Sequence, residues 1–328
     1  MSASSRRVDW SVEPTGLGGS AGPAGSCHCG GVRSILVCLF LGCLPLAAAL
    51  PALIPLPREV AEGEGRLVLT DEIGVATADD ADAARLLAVL AEAGLKPRLN
   101  AVGAGIELRR GEVKNPHGSA GAYRLEVGAE KVVVTAADRV GMIHAAETLR
   151  QLLRKNGDKV ELPRVTIADW PAFPVRGFML DTGRNYQPPE LLKEQIDVMA
   201  RYKLNVFHFH FTDNPGWRLE SKVHPAVTSS MTRQPGKYYT HREFRELVEF
   251  CRERGITLIP EMDIPGHSES LRKSLGIASM NSPESRKILK ELLSELASLA
   301  SPVEMPSIHL GTDEIREKGE HVDASWLP

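Results

Sequence analysis

Cysteine is scarce where it would matter. Of five cysteines in 328 residues, Cys27, Cys29, Cys38 and Cys43 crowd the start of the chain and only Cys251 lies beyond them. One thiol cannot form an internal bridge, so the main body of the chain is not a disulfide scaffold. Cys27 and Cys29 flank His28, but without a second cluster they fall short of a zinc-ligand pattern. Charge of one sign is lacking too. The formal net charge is −3, which gives no electrostatic argument for nucleic acid or for an anionic membrane surface. The one conspicuous apolar run, in the forties, is short and is broken by Gly42 and Pro45, which argues against a spanning helix. What remains is the composition of an ordinary globular chain, 43% hydrophobic and 25% charged, long enough for two domains.

The first 49 residues form a leader. Residues 1–31 are rich in Gly, Ser, Pro and Ala without apolar periodicity, and read as disordered. "VRSILVCLFLGCLPLAAALPA" follows, with Arg33 before a short apolar core and Ala47-Ala48-Ala49 offering small residues at a cleavage point. This is the pattern of a secretory signal peptide, and it predicts export to the periplasm or the extracellular space. An export signal begins near the initiator, so Val32 is a candidate true start. A retained N-terminal anchor, or a lipid anchor at Cys43 after Phe40-Leu41-Gly42, are the competing readings.

Residues 50–168 read as a small α/β domain. "RLVLT", "GIELRR", "YRLEV" and "KVVVTA" are strand-like, while "DADAARLLAVLAEAGL" and "DRVGMIHAAETLRQLLRK" carry helical spacing. His144, on the second of these helices, is expected to be a packing residue. Asp169, Pro171 and Pro174 then mark a boundary. Over 172–328 strands and helices alternate: "VRGFMLDTG", "PPELLKEQIDVMARYK", "LNVFHFHFTD", "THREFRELVEFCRERG", "ITLIPEMDIPG", "SPESRKILKELLSELASLA" and "SIHLGTDE". Near-continuous apolar strands between helices predict a parallel sheet covered on both faces. Each strand ends in polar chemistry: Asp181, then Asp213, then Asp263 and His267, then Asp313 and Glu314. Parallel α/β folds bind ligands at that end of the strands. No glycine-rich phosphate loop follows the first of these strands, which counts against nucleotides. The expected fold is therefore α/β, an N-terminal small α/β domain followed by the first half of a (β/α)8 TIM barrel. A whole barrel takes about 250 residues, and 172–328 holds about four β/α units.

Strand alternation puts His309, Gly311 and Asp313 on one face, with Glu314 following where the strand ends. Two adjacent carboxylates resist ionising together, which suits one of them to hold a proton as a general acid. Taken alone, the Asp-Glu pair reads rather as the opening of the next helix, where acids suit the dipole. Its surroundings decide otherwise. "RGFMLDTGRNY", "NVFHFHFTDNPGWR", "ITLIPEMDIPGH" and "HLGTDE" occur together and in this order. Residues 172–316 closely resemble glycoside hydrolase family 20, the β-N-acetylhexosaminidases, and the preceding domain resembles the small domain that precedes the barrel in that family.

The resemblance implies a retaining mechanism in which the 2-acetamido group of the substrate is the nucleophile. Asp313 would orient that group and Glu314 would act as general acid and base. Asp213 and His267 would support the general acid, with Glu261 steadying them, and Arg176 would hydrogen-bond hydroxyls of the nonreducing sugar. Expected partners are N-acetylhexosamine-containing oligosaccharides or glycoconjugates, with no cofactor and no metal. Thr312 departs from the family's usual glycine, Asn214 from a common Asp and Phe209 from a common Trp. The family's later strands, which supply a Trp-lined sugar pocket, have no counterpart up to Pro328, so the chain is expected to be cut midway through the barrel. Two rivals stand beside this reading. One is an inactive carbohydrate-binding remnant. The other is a metal-dependent barrel hydrolase using His208 and His210, with Asp213, Asp263 and His267 as further ligands.

Overall fold

The structure, a computed structural model, describes residues 50–101, 103–228 and 233–314. The expected signal peptide, the Cys43 anchor and the Cys-His-Cys stretch all lie outside the described residues. No helix among the described residues is long and apolar enough to cross a membrane.

Chain order in the first part is β1 (Glu59–Leu69), β2 (Glu72–Ala76), α1 (Asp80–Glu92), β3 (Lys96–Leu99), β4 (Ile106–Arg110), β5 (Tyr123–Val127), β6 (Val132–Ala136), α2 (Arg139–Leu152), β7 (Arg154–Asn156) and β8 (Lys159–Asp169). They build one sheet in the order β1-β8-β5-β6-β4-β2-β3, with β7 paired to β8. The two helices cover one face of the sheet and bury Leu86, Leu90, Ala145 and Leu149 against Leu125, Val134 and Ile167. Side-chain caps at Asp79 and Asp138 start them. β2, β3, β7 and β8 go beyond the sequence expectation. Pro163 lies within β8 opposite Arg66, next to a register shift in β1 between Glu62 and Arg66. His144 is buried with Nδ1 2.8 Å from the Gly121 carbonyl, and burial drives it down to about 3. It is a packing residue.

The second part runs β9 (Gly177–Asp181), α3 (Pro189–Arg201), β10 (Val206–His210), β11 (Thr212–Asp213), β12 (Gly216–Trp217), α4 (His241–Glu253), β13 (Thr257–Glu261), α5 (Glu269–Leu275) and α6 (Pro283–Ala297). β9, β10 and β13 form a parallel sheet with β10 in the middle. Phe207 and Phe209 point to the helices and join Phe244, Leu247, Leu258 and Leu289 in a second core. Thr240 and Glu243 close the capping box on α4 that their spacing predicts.

The fourth expected strand is only partly realised. His309 bridges Glu261 in parallel, and Met262 N–H and Ile264 N–H donate to the carbonyls of His309 and Leu310. Gly311 and Thr312 then take left-handed φ values of 67° and 77°, which ends the extended backbone. The sheet is a partial, unclosed barrel, with Phe178 and Met179 of β9 exposed. Lys203 ties the two parts together. Its buried ammonium donates to Asp169 Oδ2 at 2.8 Å and to Tyr123 Oη at 3.0 Å.

Candidate active site

Parallel register sets the geometry. His210 lies opposite Asp181 on one side and Glu261 on the other, so the three strands end in a row of acid, imidazole and acid. Alternation along β10 sends His208 and His210 to the barrel interior, away from Phe207 and Phe209. One turn further, Asp213 folds back over the row.

His210 Nδ1 lies 2.7 Å from Glu261 Oε2 and its Nε2 lies 3.1 Å from Asp213 Oδ2. Burial would depress this imidazole, but the hydrogen bonds to Asp213 and Glu261, aided by the charges of Glu261 and Asp181, push it up to about 10. The same contacts act on the acids. Burial would raise Glu261, yet His210, His208 and His309 draw it down to about 2. Burial opposes ionisation of Asp213 as well, and His210, the Asn214 amide, Arg184 and His267 overcome it and lower its pKa.

From Asp213 the network reaches the acid pair. Asp213 Oδ2 is 3.5 Å from His267 Nδ1, while His267 Nε2 is 3.6 Å from Asp313 Oδ2 and 3.4 Å from Glu314 Oε2. Asp313 and Glu314 are about two-thirds exposed, whereas Asp213 is 1% exposed. The structure thus gathers Asp213, His267, Asp313 and Glu314 directly, and Glu261 through His210. A carboxyl held high is found at Asp263. Burial first, then the charge of Asp313, raises it to about 6. Asp263 Oδ1 accepts from the Thr312 amide, and a side chain at Gly311 would collide with it at 1.9 Å. This contact explains why glycine stands at 311.

Arg176 is not part of this cluster, which corrects the expectation that it grips the sugar. It precedes β9 and so sits at the opposite end of the sheet, donating to the carbonyls of Lys203 and Phe173. The arginine at the site mouth is Arg184. Its guanidinium meets Asp181 Oδ2 at 2.6 Å and Asp213 Oδ2 at 2.9 Å, and its side chain is 48% exposed. Both arginines occur in "RGFMLDTGRNY", and the direction of the strand was the signal that separates them. Sequence reasoning also passed over Arg218. Fully buried, it donates to the carbonyls of Thr182, Gly183, Gln234 and Lys237, and so fixes the turn that presents Arg184. Trp217 beside it packs edge-on against Phe211 and donates to the Leu219 carbonyl.

The metal reading using His208 and His210 meets an obstacle in the donor set. Both His210 nitrogens face carboxylate oxygens, and a doubly protonated ring has no lone pair to offer a metal. His208, Glu261 and His309 place three ligand-type atoms within 4.8 Å of one another. Both Glu261 oxygens are nevertheless engaged by imidazoles, with His309 Nδ1 3.0 Å from Oε1. In this set the Glu261 carboxylate is already shared among imidazoles on both oxygens, which leaves no open ligand cage.

Comparison with known proteins identifies the family. Residues 50–170 match the family model "Glycosyl hydrolase family 20, domain 2" and residues 173–279 match "Glycosyl hydrolase family 20, catalytic domain". The acid pair lies beyond the second match and is tied to it by the His267 contacts. A beta-hexosaminidase of Vibrio furnissii is 36% identical over 240 residues, 61% of this chain and 38% of the relative. One from Akkermansia muciniphila is 39% identical over 160 residues, 46% of this chain and 32% of the relative. The chain therefore spans about a third of the length of these curated relatives. Among solved structures, the beta-N-acetylhexosaminidase of Bacteroides fragilis superposes with a TM-score of 0.72 at 29% identity, covering 81% of this chain and 57% of that one. An exo beta-N-acetylglucosaminidase of Vibrio harveyi in complex with N-acetylglucosamine gives 0.70 at 29% identity, covering 80% and 47%. The chain belongs to glycoside hydrolase family 20, with a small α/β domain followed by part of the catalytic barrel.

Proposed function

We propose that this protein hydrolyses terminal nonreducing β-linked N-acetylhexosamine, from GlcNAc or GalNAc, by a retaining, substrate-assisted mechanism. The observation that carries the reading is His267, which stands against Asp313 and Glu314 with Asp213 behind it. Asp313 orients the 2-acetamido group and balances the positive charge that develops as its oxygen attacks the anomeric carbon. Glu314 gives its proton to the departing glycosidic oxygen, then takes one from the water that opens the cyclic intermediate. Arg184 takes the sugar contact first expected of Arg176, because it is the half-exposed guanidinium at the mouth. The substrates are N-acetylhexosamine-containing oligosaccharides or glycoconjugates, met after export to the periplasm or the extracellular space.

The test is release of fluorophore from umbelliferyl N-acetyl-β-glucosaminide and galactosaminide, against a β-glucoside that lacks the acetamido group. Turnover of the first two, none of the third, and loss in Glu314→Gln and Asp313→Asn support the proposal. Equal turnover of the glucoside sinks substrate assistance. The exposure of Asp313 and Glu314 on an unclosed sheet favours one second reading, a carbohydrate-binding remnant, which saturable sugar binding without turnover would select.

A further inference from the structure

We propose that His210 is a positioning residue for the acid pair. It clamps Asp213 with one ring nitrogen and Glu261 with the other, and the clamp fixes the carboxylate against which His267 is set. Its kinetic consequence rests on the hexosaminidase reading; the clamp itself does not.

The argument begins with donors and acceptors. Glu261 Oε2 and Asp213 Oδ2 are carboxylate oxygens and only accept. Both His210 nitrogens must therefore carry protons, and the ring is a cation. Its side chain is 5% exposed, so that charge persists only where carboxylates surround it. They do: Asp181 Oδ1 lies 4.0 Å from Nε2 on a third side. The opposing cation, Arg184, is directed at Asp213 and Asp181 rather than at the ring.

Asp213 shows why the clamp matters. It is 1% exposed, and its Oδ2 is held by His210 at 3.1 Å and by Arg184 at 2.9 Å. Arg184 reaches in from the half-exposed mouth, where a sugar would compete for it. His210 is anchored in the middle strand and braced by Glu261, so it is the fixed partner. An unbroken path then runs from Glu261 through His210, Asp213 and His267 to Glu314. Releasing Asp213 would let His267 swing, and a displacement of about 1 Å at reacting groups costs roughly a hundredfold in rate. The push of the His210 imidazole to about 10 agrees with this geometry. Since the folded value lies above the ordinary one, the clamp is complete below about 6.5 and fails as the pH rises through about 10.

The experiment uses the full chain with ¹⁵N-labelled histidine. Imidazole nitrogen signals are followed from pH 6 to 10.5 in the wild type, in His210→Gln and in Glu261→Gln, beside turnover of the umbelliferyl glucosaminide. In the wild type both His210 nitrogens should remain protonated past pH 8. In His210→Gln the His267 ring signals should move, and kcat should fall roughly a hundredfold with far less change in KM. If His210→Gln does not fold, Glu261→Gln answers instead, because losing one carboxylate should bring the His210 titration down toward the ordinary imidazole range. A His210 ring with one unprotonated nitrogen at pH 7 overturns the proposal. So do unmoved His267 signals in His210→Gln, or an unmoved His210 titration in Glu261→Gln. A wild type that turns over nothing refutes the hexosaminidase reading, while its protonated His210 would leave the clamp standing.

Discussion

Thr312 is held at φ 77° beside Gly311 at 67°. For a β-branched residue this is a strained conformation, because its Cβ crowds the adjoining backbone. Holding a non-glycine residue there costs about 1–3 kcal/mol. Thr312→Gly removes that strain but gives the unfolded chain extra freedom, worth about 0.4–1 kcal/mol in the other direction. The Thr312 side chain is exposed, so little packing is lost. Its N–H bond to Asp263 Oδ1 at 3.2 Å belongs to the backbone and survives. The net gain should be about 1 kcal/mol, a rise in Tm of about 1–2 °C for a chain of this size. Thermal unfolding followed by far-ultraviolet circular dichroism, with a urea midpoint as a second measure, reads it. Thr312→Ala is the control: it keeps a Cβ, so its gain should be much smaller. A Thr312→Gly protein that melts at or below the wild-type temperature would falsify the strain argument.

Three further predictions concern other parts of the fold. Lys203→Met strands buried Asp169 and should cost about 3–5 kcal/mol; a urea midpoint within error of wild type would contradict the buried pairing. Thr240→Ala opens the capping box on α4 and should cost about 1 kcal/mol, read by the same melt. Asp263→Asn tests the raised carboxyl. Its folded value of about 6 lies above its ordinary 3.8, so its contribution to stability is present below 3.8 and lost as the pH rises through 6. The amide imitates the protonated acid, so the variant should gain on wild type at pH 8 and lose that advantage by pH 4; a difference flat with pH would exclude a perturbed Asp263.

Much of this was legible from residue types alone. Strand-helix alternation placed β9, β10 and β13, and Thr240 with Glu243 named the start of α4, because those signals are local. The polar ends of the strands named Asp213, His267, Asp313 and Glu314 for the same reason. What escaped notice depends on pairing. β8 carries Pro163, and its pairing with β1 is what shows it as a strand. The choice between Arg176 and Arg184 turns on which end of a strand faces the ligand, and eight positions of sequence carry the chain from one end of the sheet to the other. The role of His210 comes from register across three strands, which no single segment records. Arg218 binds four carbonyls from two distant turns, so nothing near it in sequence announces them.

The pairing of β1 with β8 bears on the order of events at the ribosome. Among the described residues β8 is the strand that β1 pairs with, and β8 ends at Asp169. The first sheet therefore cannot close until a hundred residues have followed β1 out of the exit tunnel, and its two helices must wait on an incomplete floor. Lys203, which latches Asp169 and Tyr123, emerges after α3. Since domains fold as units from the N-terminus during synthesis, the small domain should complete itself first and then offer Asp169 as the docking point on which the barrel strands begin to assemble.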